Sequence, residues 1–149
     1  MNTVTRKLPT VSRIGLGLVF AVMGLNKLVP FLPQPPMSGA PAAFFGALFA
    51  TGYMLPLIAL TEIVAGVMLL TGRFTTLGLA LLAPVVVNIV AFHLFLAPAG
   101  LPLALVVLAL ELYLAWSYRD AFAPMLRTRN VERTTQTAEQ KELVAAAAH

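Results

Sequence analysis

Cysteine is absent from the sequence. Disulfides, thiolate-bound metals and thiol redox or sulfur-transfer steps are therefore excluded within this chain. Charge is scarce as well, at 11% of residues against about 25% in an ordinary soluble domain. No glycine-rich phosphate loop and no nucleophile elbow occurs, so nucleotide binding and acyl transfer have no motif to rest on. What fills the chain instead is hydrocarbon. With 59% hydrophobic residues and a mean hydropathy of +0.87, its solvent is expected to be lipid. A span takes about 20 apolar residues, so the 149 residues hold several spans and little else. The basic pI near 10.0 does not indicate nucleic acid, because the basic residues flank apolar runs and form no patch among aromatics.

Four apolar segments stand out: Leu8 to Val29, Tyr53 to Leu70, Thr75 to Leu96 and Leu101 to Tyr118. They predict an all-α protein, an integral membrane four-helix bundle occupying residues 1–120, followed by a polar cytoplasmic tail over 121–149. In the first segment Arg13 and Lys27 lie roughly 21 Å apart at 1.5 Å per residue, so each reaches an opposite interface. A cleaved signal peptide shares that basic start, but no small-residue cleavage site leads into a soluble chain and more spans follow. With four crossings and both termini in the cytoplasm, Arg6, Lys7, Arg13, Arg73 and the basic residues after Tyr118 all fall inside. Only Lys27 falls outside, as the positive-inside rule favours. Trp116 and Tyr118 then mark the inner interface and Tyr53 the outer one.

The long connection from Pro30 to Gly52 has two parts. Its prolines forbid regular helix up to Gly39. From Pro41 a short helix is expected in the outer interface, with Phe44, Phe45, Leu48 and Phe49 on one face and Gly52 as its stop. A hydrophobic loop packed on the bundle is the competing reading. A faint internal repeat aligns Leu16-Gly17-Leu18 with Leu77-Gly78-Leu79, which sets Lys27 opposite Asn88 and Glu62 opposite Glu111. From Thr128 to Glu142 the tail is charged and rich in threonine and glutamine, the composition of a frayed helix or disorder.

Five polar residues interrupt the spans. Counted from the outer ends, Glu62, Asn88 and Glu111 lie roughly 12 to 15 Å down at 1.5 Å per residue, with Lys27 and His93 above them. A charge at mid-membrane costs about 2.5 to 3.5 kcal/mol, so these groups are expected to face inward and find partners. Lys27 shares a face with Gly24, Phe20 and Gly17, and Glu62 with Gly66; such small residues let helices approach closely. Pro84 frees the carbonyl of Ala80 and is a candidate kink. One reading is a structural clasp, Lys27 to Glu62, with Asn88, His93 and Glu111 completing the hydrogen bonds. The other is a binding or proton-handling site built from the same five residues. Metal binding is not expected, since Asn88 and His93 lie about 140° apart around their helix and no ligand spacing occurs. Haem has no second intramembrane histidine to bind it.

The order and spacing of several features resemble small bacterial membrane proteins of the DoxX family. They are Gly24-Leu25-Asn26-Lys27-Leu28, the proline-rich Phe31 to Gly39 loop with its phenylalanines, Thr61-Glu62 with Gly66, and Asn88 through His93 to Pro98. The resemblance covers about residues 8 to 120. It implies a four-helix bundle of the bacterial cytoplasmic membrane in a family named from thiosulfate and quinone oxidoreduction. The expected role is an accessory subunit supporting a membrane redox process. A quinone is the cofactor to consider, and the partners are the lipid bilayer and membrane or soluble redox proteins. The alternatives are a subunit that itself binds or reduces quinone, with Glu62 or His93 handling protons, and a small-solute transporter. Catalysis and oligomeric state stay open.

Overall fold

A computed structural model describes residues 3–33, 36–123 and 140, the side chains from Lys7 onward. Its elements are α1 (Thr3–Leu28), α2 (Ala40–Ala50), α3 (Met54–Thr71), α4 (Thr75–Phe95), a 3₁₀ turn at Pro98–Gly100, α5 (Leu101–Ser117) and α6 (Arg119–Phe122). No strand occurs among the described residues. The four long helices are each apolar and long enough to cross a membrane, and they fall on the four segments marked in the sequence.

Each helix ends where local chemistry stops it. Thr71 closes α3, and Gly72 takes a left-handed φ of 73° while its N–H bonds back to the Met68 carbonyl, a C-cap that an L side chain seldom adopts. The guanidinium of Arg13 fills the space beside Gly72 where a side chain would stand, and it donates to the carbonyl of Leu69. α4 begins only three residues after α3, so the two are antiparallel neighbours. Pro102 opens α5 and Pro41 opens α2, first-turn positions that need no N–H. Pro84 lies within α4 on its exposed side, and the helix runs unbroken from Thr75 to Phe95.

The bundle is a closed ring: α1 packs most extensively on α3, α3 on α4, α4 on α5, and α5 returns to α1. Leu16, Phe20, Leu69, Leu82, Val86 and Leu114 fill its interior. The outward faces carry large apolar side chains such as Val11, Leu18, Val67, Val87 and Leu103. A continuous apolar exterior of this kind is a lipid-facing surface. The architecture is thus an all-helical membrane bundle.

The α1–α3 contact depends on glycine. A Cβ on Gly66 would stand 2.6 Å from the Ala21 nitrogen and 2.8 Å from the Gly17 carbonyl oxygen, closer than any real side chain sits to backbone. α1 then leads into the proline loop through Asn26, whose side-chain oxygen accepts the N–H groups of Phe31 at 2.9 Å and Leu32 at 2.8 Å. Asn26→Leu is expected to release this loop, since each unpaired N–H costs about 1–3 kcal/mol. Limited proteolysis checks it: cleavage between residues 30 and 39 that stays at the wild-type rate would show that Asn26 does not hold the loop.

The helix expected after Pro41 is present as α2, but its predicted face is too wide. Phe44, Phe45 and Leu48 turn inward, whereas Phe49 is 77% exposed. One turn at Arg119–Phe122 forms a separate unit from the bundle. The expected polar tail lies outside the described residues beyond Ala123, apart from Gln140.

Candidate functional site

Lys27 stands in the last turn of α1 and Glu62 in the middle of α3. Gly24 lies three residues before the lysine and Gly66 four after the glutamate, and both sit against the neighbouring helix. This close approach brings Lys27 Nζ to 2.6 Å from Glu62 Oε2. The carboxylate side chain is 2% exposed and the lysine 27%. The pair is charge-neutral as a unit, with its cationic end the more open.

The pair forms part of the wall of a cavity of 390 Å³ between the four spans. α4 contributes Asn88, Phe92 and His93, and α5 contributes Ala104 and Val107. α2 closes one side with Phe44, Phe45 and Leu48, and Met37 of the proline loop reaches the same space. Phe44 and Phe45 pack on Phe92 at ring separations of 5.4 and 5.3 Å, and Phe92 meets His93 edge-on at 5.2 Å. One end of the cavity is therefore aromatic.

Two polar groups on this wall are uncommitted. His93 Nδ1 lies 2.8 Å from the Ile89 carbonyl one turn back. That oxygen only accepts, so Nδ1 donates to it, and the neutral ring presents the lone pair of Nε2. Asn88 makes no hydrogen bond among the described residues, and its amide offers both donor and acceptor.

The structure therefore brings Lys27, Glu62, Asn88 and His93 to one cavity. Asn88 and His93 reach it from two edges of α4, the 140° between them spanning the arc that the cavity occupies. Glu111 does not line it. It is 5% exposed, and its Oε1 has no hydrogen-bond partner. The wider clasp expected from the sequence is absent: only Lys27 bonds to Glu62, and Asn88, His93 and Glu111 add nothing to the pair. Among the described residues no three His, Asp or Glu side chains gather closely enough to hold a metal ion.

Sequence reasoning missed three contributors. Asn26 anchors the loop that brings Met37 to the cavity; an asparagine in a last helical turn ahead of a proline was the available signal. Phe92 is the centre of the aromatic end, and its place next to His93 gave no periodic hint. Met37 sits in an irregular segment, where no pattern points inward.

No curated protein and no solved structure matches the chain. The family model named DoxX matches residues 8–95. That span runs from α1 to the end of α4 and contains Lys27, Glu62, Asn88 and His93, while Glu111 lies beyond it. With more than half of the chain matched, and with four apolar helices ringing a cavity on which those residues meet, this protein belongs to the DoxX family.

Proposed function

We propose that the protein is an accessory membrane subunit of a redox process, and that its cavity binds a neutral, lipid-soluble amphiphile of the quinone class. The carrying observation is the make-up of the cavity wall. Lys27 and Glu62 cancel each other's charge, aromatic side chains offer ring faces, and Asn88 and His93 Nε2 are left to bind a polar group. A net-charged ligand would have to compete with the internal pair, whereas a neutral one does not. The setting proposed is the bacterial cytoplasmic membrane with both termini inside, supported by Arg13 and Arg73 at the end opposite Lys27 and by the basic residues that follow the fourth span in sequence. The cavity then lies in the outer half of the bilayer.

His93 distinguishes the two oxidation states. An unprotonated Nε2 accepts a hydrogen bond and cannot give one, so it suits a quinol hydroxyl, while a quinone carbonyl finds its donors at Asn88 and at the Lys27 ammonium, which has N–H groups beyond the one given to Glu62. A bound quinone would supply the two-electron chemistry, and this chain supplies orientation and hydrogen bonds. Equilibrium titration of the purified protein in detergent with a short-chain quinol and its quinone tests this. His93→Leu is expected to weaken the quinol about tenfold, one lost hydrogen bond of roughly 1.4 kcal/mol, with little effect on the quinone. No loss of quinol binding in His93→Leu, or an equal loss for the quinone, would overturn the assignment. Solute flux in proteoliposomes without quinol binding would support the transporter reading instead.

A further inference from the structure

Glu111 is the polar residue the cavity does not use. It lies on the face of α5 that carries Ala104 and Val107, one turn beyond Val107, so it sits about 6 Å below the cavity floor. Its side chain is buried and Oε1 meets no donor. The internal repeat sharpens the point. Glu62 has Lys27 across from it, but in the second half Asn88 takes the lysine's place and makes no bond to Glu111.

Among the described residues, the titratable groups on the elements packed against α5 leave this carboxyl alone. On α1, Lys27 is held by Glu62, Arg13 is turned to the Leu69 and Leu70 carbonyls, and Lys7 is exposed near the helix start. On α4 the one titratable group is His93, bonded through Nδ1 to Ile89, and the 3₁₀ turn has none. On α5 itself Tyr113 is two residues on, about 200° around the helix. A metal ion would need several oxygen ligands, and no such group gathers among the described residues. A proton needs only the one oxygen.

We propose that Glu111 is a proton-binding site inside the membrane, supplied through the cavity above it and separate from the Lys27–Glu62 pair. It shares the membrane placement of the proposed function but not its ligand. A failure of quinol binding leaves it standing, and its own failure leaves the quinol site intact.

The test uses the full chain in membrane vesicles and dicyclohexylcarbodiimide, an apolar reagent for proton-bearing carboxyls in lipid. The carboxyl adds across one C=N bond, its proton passes to the nitrogen, and acyl migration from oxygen to nitrogen leaves a stable N-acylurea readable by peptide mass spectrometry. The adduct is expected on Glu111 at several times the level on Glu62, and it should fall as pH rises. Glu111→Gln, a neutral isostere, should lose it while keeping the wild-type melting temperature. Lys27→Met should expose Glu62 to labelling, which shows that the reagent reaches the cavity. Val107→Phe, which narrows the floor, should slow labelling of Glu111 relative to Glu62 in the Lys27→Met background. Glu111 unlabelled where Glu62 of Lys27→Met is labelled, labelling that ignores pH, or labelling indifferent to Val107→Phe would each overturn the proposal.

Discussion

Replacing Lys27 by methionine is expected to destabilise the bundle by about 3–5 kcal/mol, the usual effect of removing one partner from a buried ion pair. Methionine keeps the volume of the lysine stem, so the loss reports the charge and not a cavity. The magnitude is decided by what remains behind. Glu62 is 2% exposed and bonds only to Lys27, so its carboxylate is left without the one partner it has. The pair itself is worth far less. Intramembrane hydrogen bonds contribute about 0.6 to 2 kcal/mol, because the alternative states also find partners. Adding Glu62→Gln should therefore restore most of the loss, since an amide in the same place carries no charge. Unfolding of the four proteins of this cycle in detergent measures the coupling. If the two single losses simply add in the double mutant, the contact at 2.6 Å does no stabilising work.

A comparable loss is expected from a residue with no polar atom beyond its backbone. Gly66→Leu should cost at least the roughly 1–3 kcal/mol of an overpacked core, because backbone must move to admit it. A Cβ there would stand 2.6 Å from the Ala21 nitrogen, and α1 has no flexible side chain at that point to yield. Moving α1 off α3 also draws Lys27 away from Glu62, so the packing and ionic losses combine. The other glycines give an internal scale. A Cβ on Gly78 would meet the Ala65 carbonyl at 3.2 Å, a contact relieved by a few tenths of an ångström, while one on Gly15 would meet nothing within 4 Å. Gly78→Ala should therefore cost little. Gly15→Ala should be neutral or stabilising by up to about 1 kcal/mol, through helix propensity. Melting temperatures in one detergent decide the order, and a Gly66→Leu protein as stable as Gly15→Ala would refute the close crossing.

How much of this was legible beforehand differs by residue. The four spans were readable from apolar run length, because in lipid the backbone satisfies itself only as helix. The partnership of Lys27 with Glu62 was one of two readings there, suggested because both are ionisable, both interrupt apolar runs and both lie beside glycines. Glu111 misled. Counting set it level with Glu62, and it shares a face of α5 with the cavity-lining Ala104 and Val107, but how far the cavity reaches along that face follows from how the ring closes. Phe49 misled for the same reason: it shares a helical stripe with Phe45, yet α2 sits against the bundle so that the stripe is only partly covered. Asn26 was visible as a polar residue, but its bonds go to two backbone N–H groups of the next segment, which no spacing reveals.

Composition and order along the chain alone determined that this is a helical membrane protein without thiol chemistry in the chain, with a cation in its first span and a carboxylate in its second. These are properties of local propensity and of the cost of charge in hydrocarbon. Tertiary structure decided that Asn88 and His93 share a cavity with that pair, that an aromatic wall from α2 and α4 closes it, and that Glu111 lies apart with an unpartnered oxygen. Such facts depend on the rotation of each helix about its own axis. That rotation is set by the packing of all four helices together, and by the glycines that let α1 and α3 touch.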